Sequence, residues 1–199
     1  RVRSSAASDV YKRQVDLGLI NGRYFLLMVG VGFDGEVTHA IEKRPIKRLG
    51  VLAYLVFAIV RGFGYPSFPV SLEMNERVVK THALQIVIGN TQLYGGAMKL
   101  TWEAKCDDGL LDVCLVSNRN VFGRFATLMD FLLHREQRRL RVRYYTCTSI
   151  KVETQEPVAM QIDGEPGGFA PATCVVMPGA LKVLVPQQTP EGLFVKAEE

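Results

Sequence analysis

The stretch MQIDGEPGG, residues 160–168, sets Asp163 and Glu165 on either side of Gly164, where an apolar, strand-like run stops. A carboxylate at a strand end stands on rigid scaffold, and one facing a cleft can take a proton from a substrate hydroxyl. The same letters also spell an ordinary turn. A second acidic stretch, KCDDGLLDV (105–113), places Asp107 and Asp108 before Gly109, with Asp112 further on. Hard cations such as Mg2+ take carboxylates and turn-exposed carbonyls as ligands. An Asp-Gly turn entering a strand is the plainer alternative.

Other chemistry-bearing residues do not converge. NTQLYGGAMKL (90–100) holds Gly95 and Gly96 beside Tyr94, which permits a close backbone approach to a ligand or simply a tight turn. His39, His82 and His134 lie far apart without ligand spacing and read as surface or core-edge residues. The four cysteines, Cys106, Cys114, Cys147 and Cys174, form no C-x-x-C pair, which favours reduced thiols in a cytoplasmic setting over disulfides or zinc. No Gly-rich phosphate loop precedes a helix, and neither G-x-S-x-G nor a kinase catalytic loop occurs. The chain carries no complete nucleotide site of its own.

The elements that must position these residues are mostly strands. RYFLLMVGVGFDG runs from a buried strand into a glycine-rich turn, and GEVTHAIEK after it has helical spacing with Asp34 as N-cap. RLGVLAYLVFAIVRGFGYP (48–66) is the most apolar helix candidate, ended by Gly62, Gly64 and Pro66. FPVSLEMN and HALQIVIGN alternate around Asn75 and Glu76 and predict a hairpin. NVFGRFATLMDFLLH (120–134) is amphipathic, with Val121, Phe125, Leu128, Met129 and Leu132 on one face. LLDVCLV, LRVRYYTC, SIKVET, VAMQID, ATCVVMP and ALKVLVP read as further short strands. The pattern predicts a mainly β fold with α insertions: a β-sandwich carrying two main helices.

With 199 residues, 48% of them hydrophobic, the chain can bury one good core. It has no uninterrupted apolar run long enough for a transmembrane helix, and its N-terminus lacks the apolar run of a signal peptide. Residues 1–14, including SSAASDVYKRQ, have no apolar period and look like read-through of a sequencing-library adapter, so they are set aside as a non-native scar. Arg1, Arg3, Lys12 and Arg13 against Asp9 give this segment +3 of the net charge of +4. The remainder is near neutral and gives no sign of a nucleic-acid partner. The expected organisation is a domain over residues 15–187 followed by a tail over 188–199.

Taken in order, GFDGEV, an apolar helix, GNTQLYGGAMKL, CDDGLLDV, MQIDGEP and a closing ALKVLVP resemble the C-terminal domain of the bacterial diacylglycerol kinase (YegS-like) lipid kinase family, from about Val15 to Pro186. Ala97 stands where that family often has a third glycine, and the family's proline near LTWE is missing. The family is two-domain, with the G-G-D-G-T nucleotide motif in an N-terminal domain not found here. The resemblance therefore implies a fragment that begins just after the nucleotide domain, inactive alone. It also implies that Glu165 is the general base for ATP-dependent phosphorylation of a lipid hydroxyl, with Asp163 a structural neighbour. By the same carry-over a structural Mg2+ is held by the Asp108 side chain and the carbonyls of Lys105 and Leu110, separate from the Mg2+ that travels with ATP. The implied partners are a lipid such as diacylglycerol, ATP through the N-terminal domain, and a second copy in a homodimer.

Such an enzyme belongs in phospholipid biosynthesis, cytoplasmic and peripheral at the membrane. The apolar helix fits an acyl groove or plain core. The basic HREQRRLRVR (134–143) fits anionic headgroups or a solvated helix end. Competing readings are a sphingoid-base or NAD kinase relative and a non-catalytic lipid- or membrane-binding sandwich. An upstream reading frame containing G-G-D-G-T separates the kinase from the binding module.

Overall fold

The computed structural model describes residues 10–42, 64–94, 98–117, 142–186 and 192–195. The helices expected at 48–66 and 120–134 fall, almost entirely, outside these residues, as do Gly95, Gly96, Ala97 and most of the basic stretch. Two six-stranded antiparallel sheets make up the fold. Sheet A has the order β2 (Arg23–Phe25), β1 (Val10–Ile20), β14 (Ala172–Pro186), β11 (Ser149–Thr154), β4 (Phe68–Met74), β5 (Arg77–Ala83). Sheet B runs β10 (Val142–Cys147), β9 (Leu111–Val116), β6 (Gln85–Gly89), β3 (Met28–Gly32), β12 (Val158–Ile162), β13 (Glu165–Ala170). A two-stranded ribbon, β7 (Leu93–Tyr94) with β8 (Met98–Lys99), and the helix α1 (Phe33–Glu42) complete the described elements.

The two sheets are apolar in different ways. In sheet A, β4 and β11 alternate, with Val70, Leu72, Met74, Ile150 and Val152 buried between outward polar residues. In sheet B, β3, β9 and β12 are buried at every position. Their inward residues, among them Val29, Val31, Leu111, Val113, Met160 and Ile162, meet sheet A in one core. On the other face Met28, Val87, Cys114 and Val116 pack with Leu100, Trp102, Val142 and Tyr144 in a second, smaller core. Sheet B is thus a middle layer, which explains why its strands read as continuous apolar runs. Helix α1 covers β12 on that outer face. Gly35 is required there, because a Cβ would collide with the Ala159 carbonyl oxygen.

Several expectations are corrected. The hairpin at Asn75–Glu76 forms, but its second arm is Arg77–Ala83, and the following Gln85–Gly89 crosses to sheet B. The polar alternation of RVVKTHA marks an exposed edge strand, while QIVIG is apolar because it joins the middle layer. ATCVVMP and ALKVLVP are one strand, β14, rather than two. Asp34 is inside helix α1, and its N–H is capped by Gln85 Oε1 at 2.8 Å, so Asp34 is not the N-cap. Strand β1 starts at Val10, so the folded unit reaches back into the stretch set aside, with Gln14 opposite Lys182.

Asp112 lies on the outer face of β9, buried, accepting a 2.6 Å hydrogen bond from the Tyr144 hydroxyl. Burial pushes its carboxyl up to about 6 despite that bond. Between pH ~4 and ~6 the folded chain keeps a proton that the unfolded chain releases, so this group's contribution falls as pH rises through that window. Asp112→Asn should remove about 2 kcal/mol of pH dependence across it. Urea unfolding at several pH values in EDTA measures this, and an unchanged slope in the variant would refute the assignment.

Candidate active site and cation loop

The turn at residues 163–164 is built by its two central residues. Asp163 and Gly164 have φ of 50° and 85°, the left-handed pair that a two-residue hairpin needs to match the strand twist. Ile162 and Glu165 close the turn as a cross-strand pair. Gln161, fully buried, accepts the Gly164 N–H at 2.7 Å through Oε1. DGE is therefore a turn, and it places Glu165 at the start of β13.

The two acids do different work. Asp163 accepts three backbone N–H groups, from Leu26 at 2.8 Å on Oδ2 and from Leu27 and Met28 at 2.9 Å on Oδ1. Its own N–H bonds the Met28 carbonyl at 3.0 Å. Leu26 and Leu27 are where the chain leaves sheet A for sheet B. Asn90, also buried, holds this crossing from the other side: Nδ2 donates to the carbonyls of Leu26 and Asp16, and its N–H to that of Leu27. Glu165 contributes nothing to this web. Its side chain is 74% exposed, and its recorded partner is Arg23 Nη2 at 2.9 Å. Arg23 Nη1 donates to the Pro166 carbonyl at 3.2 Å. An exposed, fixed carboxylate beside a guanidinium can accept a proton.

The acidic loop stands at the same end of sheet B. Gly89 pairs with both Asp112 and Met28, and Val29 with Ile162, so the start of β9 and the end of β12 share one rim. At ~4.8 Å per strand step, three steps separate them by about 14 Å. In the loop, Asp107 is committed to Arg13 Nη1 at 3.1 Å and the Val195 N–H at 2.7 Å. Asp108 accepts the Leu110 N–H on Oδ1 at 3.0 Å, and no bond to its Oδ2 is recorded among the described residues. Burial raises the Asp108 carboxyl above its ordinary range, with Asp16 and Asp107 adding to the effect and Leu110 and Lys105 opposing it. Asp16, buried at the bulge between β1 and β14, accepts the N–H groups of Gly109 and Gly179 at 2.7 Å each. Crowded carboxylates, an all-oxygen donor set and a left-handed Gly109 at φ 72° suit a hard cation. Among the described residues no three His, Cys, Asp or Glu side chains gather as ligands. The set that the resemblance implies, Asp108 with the carbonyls of Lys105 and Leu110, would need only one such side chain.

Sequence reasoning did not single out Arg23, Asn90, Asp16 or Gln161. A buried-type Asp inside VDLGLI and an Asn directly after QIVIG were usable signals, because polar residues in apolar runs need partners. Arg23 gave none. His39 sits against Phe169 with its Nε2 3.0 Å from the Met160 carbonyl, an ordinary packed histidine.

A family profile described as "YegS C-terminal NAD kinase beta sandwich-like domain" matches residues 27–185. A "Probable lipid kinase YegS-like" protein of Pseudomonas aeruginosa (strain UCBPP-PA14) is 32% identical, the match covering 93% of this chain and 61% of that protein. A "Diacylglycerol kinase" of Bacillus subtilis (strain 168) is 26% identical over 91% of this chain and 60% of its own length. The crystal structure of a putative diacylglycerol kinase from Bacillus anthracis str. Sterne superposes with a TM-score of 0.70 at 22% identity, covering 86% of this chain and 56% of that one. The chain thus spans about three fifths of the curated relatives it matches. With the matched profile covering all of sheet B, four strands of sheet A and the rim that carries Asp108 and Glu165, this chain belongs to the YegS C-terminal, NAD kinase β-sandwich-like domain family.

Proposed function

We propose that this domain is the base-carrying part of an ATP-dependent lipid kinase, acting on the hydroxyl of diacylglycerol or a related lipid. The observation that carries the reading is the division of labour at the DGE turn: Asp163 is consumed in structure, and Glu165 is left exposed and fixed. In the reaction Glu165 takes the proton of the acceptor hydroxyl as its oxygen bonds the γ-phosphorus of ATP, and the bond from that phosphorus to the departing ADP breaks. The nucleotide is supplied by the part of the relatives that this chain does not span. Asp108, with the carbonyls of Lys105 and Leu110, would hold a Mg2+ that offsets the crowding of carboxylates in the loop. The strand ends that carry the loop and the turn stand about 14 Å apart along the sheet, so the ion would act on the rim's shape rather than on the reacting phosphate. The exposed Leu26 and Leu27 beside the turn offer an apolar approach for a lipid at a membrane surface. No helix of the described residues is long and apolar enough to cross a membrane.

Glu165→Gln in a full-length enzyme should lower turnover on the order of 100-fold with ATP affinity and fold retained. Full activity would end the base assignment. Asp163→Asn tests the other acid: Asn accepts the left-handed backbone, but its Nδ2 would face the Leu26 N–H, donor against donor. A stability loss of about 1–3 kcal/mol is expected, larger than its catalytic effect, as read by denaturant unfolding beside activity. For the cation, Asp108→Ala should abolish any rise of melting temperature with Mg2+. A wild-type response surviving in the variant would place the ion elsewhere.

A further inference from the structure

We infer that Arg23 is a positioning residue for Glu165, a reading that rests on Glu165 being the general base. Arg23 is on β2 of sheet A and Glu165 on β13 of sheet B, so the ion pair spans the two sheets at the rim. The guanidinium fork uses two prongs on consecutive residues, Nη2 to Glu165 Oε2 at 2.9 Å and Nη1 to the Pro166 carbonyl at 3.2 Å. The second prong fixes the plane of the guanidinium against the main chain, and the first then fixes the carboxylate. Only Oε2 is engaged, and no partner of Oε1 is recorded among the described residues. That leaves Oε1 to accept the hydroxyl proton while Oε2 is held.

An exposed ion pair of this kind adds little to stability, since both side chains are screened by water and lose rotamer freedom in meeting. Its effect belongs to geometry. A three-torsion glutamate at 74% exposure samples many orientations, and a base out of line with its proton loses rate steeply. The Asp163 web cannot supply this restraint, because it fixes the backbone of the turn and makes no contact with the Glu165 carboxylate.

The experiment uses the full-length enzyme, with diacylglycerol in mixed micelles and ATP, and reads kcat, both KM values and the melting temperature. Arg23→Gln should lower kcat roughly tenfold, leave both KM values within about twofold, and leave the melting temperature essentially unchanged. Arg23→Lys, which keeps the charge on a single donor nitrogen but loses the fork, should recover part of kcat. In the Glu165→Gln background, Arg23→Gln should cost nothing further, because the group it orients is no longer a base. An unchanged kcat in Arg23→Gln, or a full additional loss in the double variant, overturns the positioning role while leaving Glu165 as base. Full activity in Glu165→Gln alone overturns the base reading, and the inference with it.

Discussion

The rim depends on one carboxylate. Where the chain passes from β2 in sheet A to β3 in sheet B it exposes the N–H groups of Leu26, Leu27 and Met28 in succession, and a crossing cannot satisfy them by ladder pairing. Asp163 receives all three. A single carboxylate offers about four lone-pair sites in one plane, so it can serve several donors that no neutral side chain of its size could. Because Asp163 is also the first residue of the β12–β13 turn, the crossing and the turn are one mechanical unit. The position of Glu165 follows from it.

The acidic loop repeats the device with different parts. Asp16 collects the N–H of Gly109 from the loop and that of Gly179 from the bulged β14, and its N–H bonds the Cys106 carbonyl. Asp107 is tied to the chain's C-terminal residues through Val195. Asp16 and Asp107 thus hold backbone at one end of the rim and Asp163 at the other, while the Glu165 carboxylate takes no backbone N–H among the described residues. Asp108 stands between these cases, with one oxygen on the Leu110 N–H.

That separation was only partly legible in the sequence. The β-sandwich and its strand-rich order were readable, because period-two alternation in SIKVET and unbroken apolar runs such as LLDVCLV report burial on one face or two. The DGE turn was readable from Asp-Gly closing an apolar run. Sheet membership was not: nothing local tells that Gln85 leaves the hairpin for the other sheet, since that depends on which neighbour the apolar run finds. Nor could the sequence say that ATCVVMP and ALKVLVP are continuous, because the Pro-Gly between them reads as a stop and is in fact a bulge answered by the distant Asp16. Arg23, the cation paired with Glu165, is 142 positions from it and left no local trace.

The pairing of β1 with β14 bears on how the molecule comes into being. Ile20 lies opposite Cys174, and β14 is what joins β1 and β2 to the rest of sheet A. During synthesis the first strand therefore waits, unpaired along that edge, until nearly the whole domain has left the ribosome. Pairings so distant in sequence pay their loop-closure entropy late and are slow to form. Sheet B can assemble β6 on β3 and β9 on β6 as they emerge, while sheet A is sealed last. Any nascent chain released before Ala172 carries an open edge, a template for pairing with its neighbours.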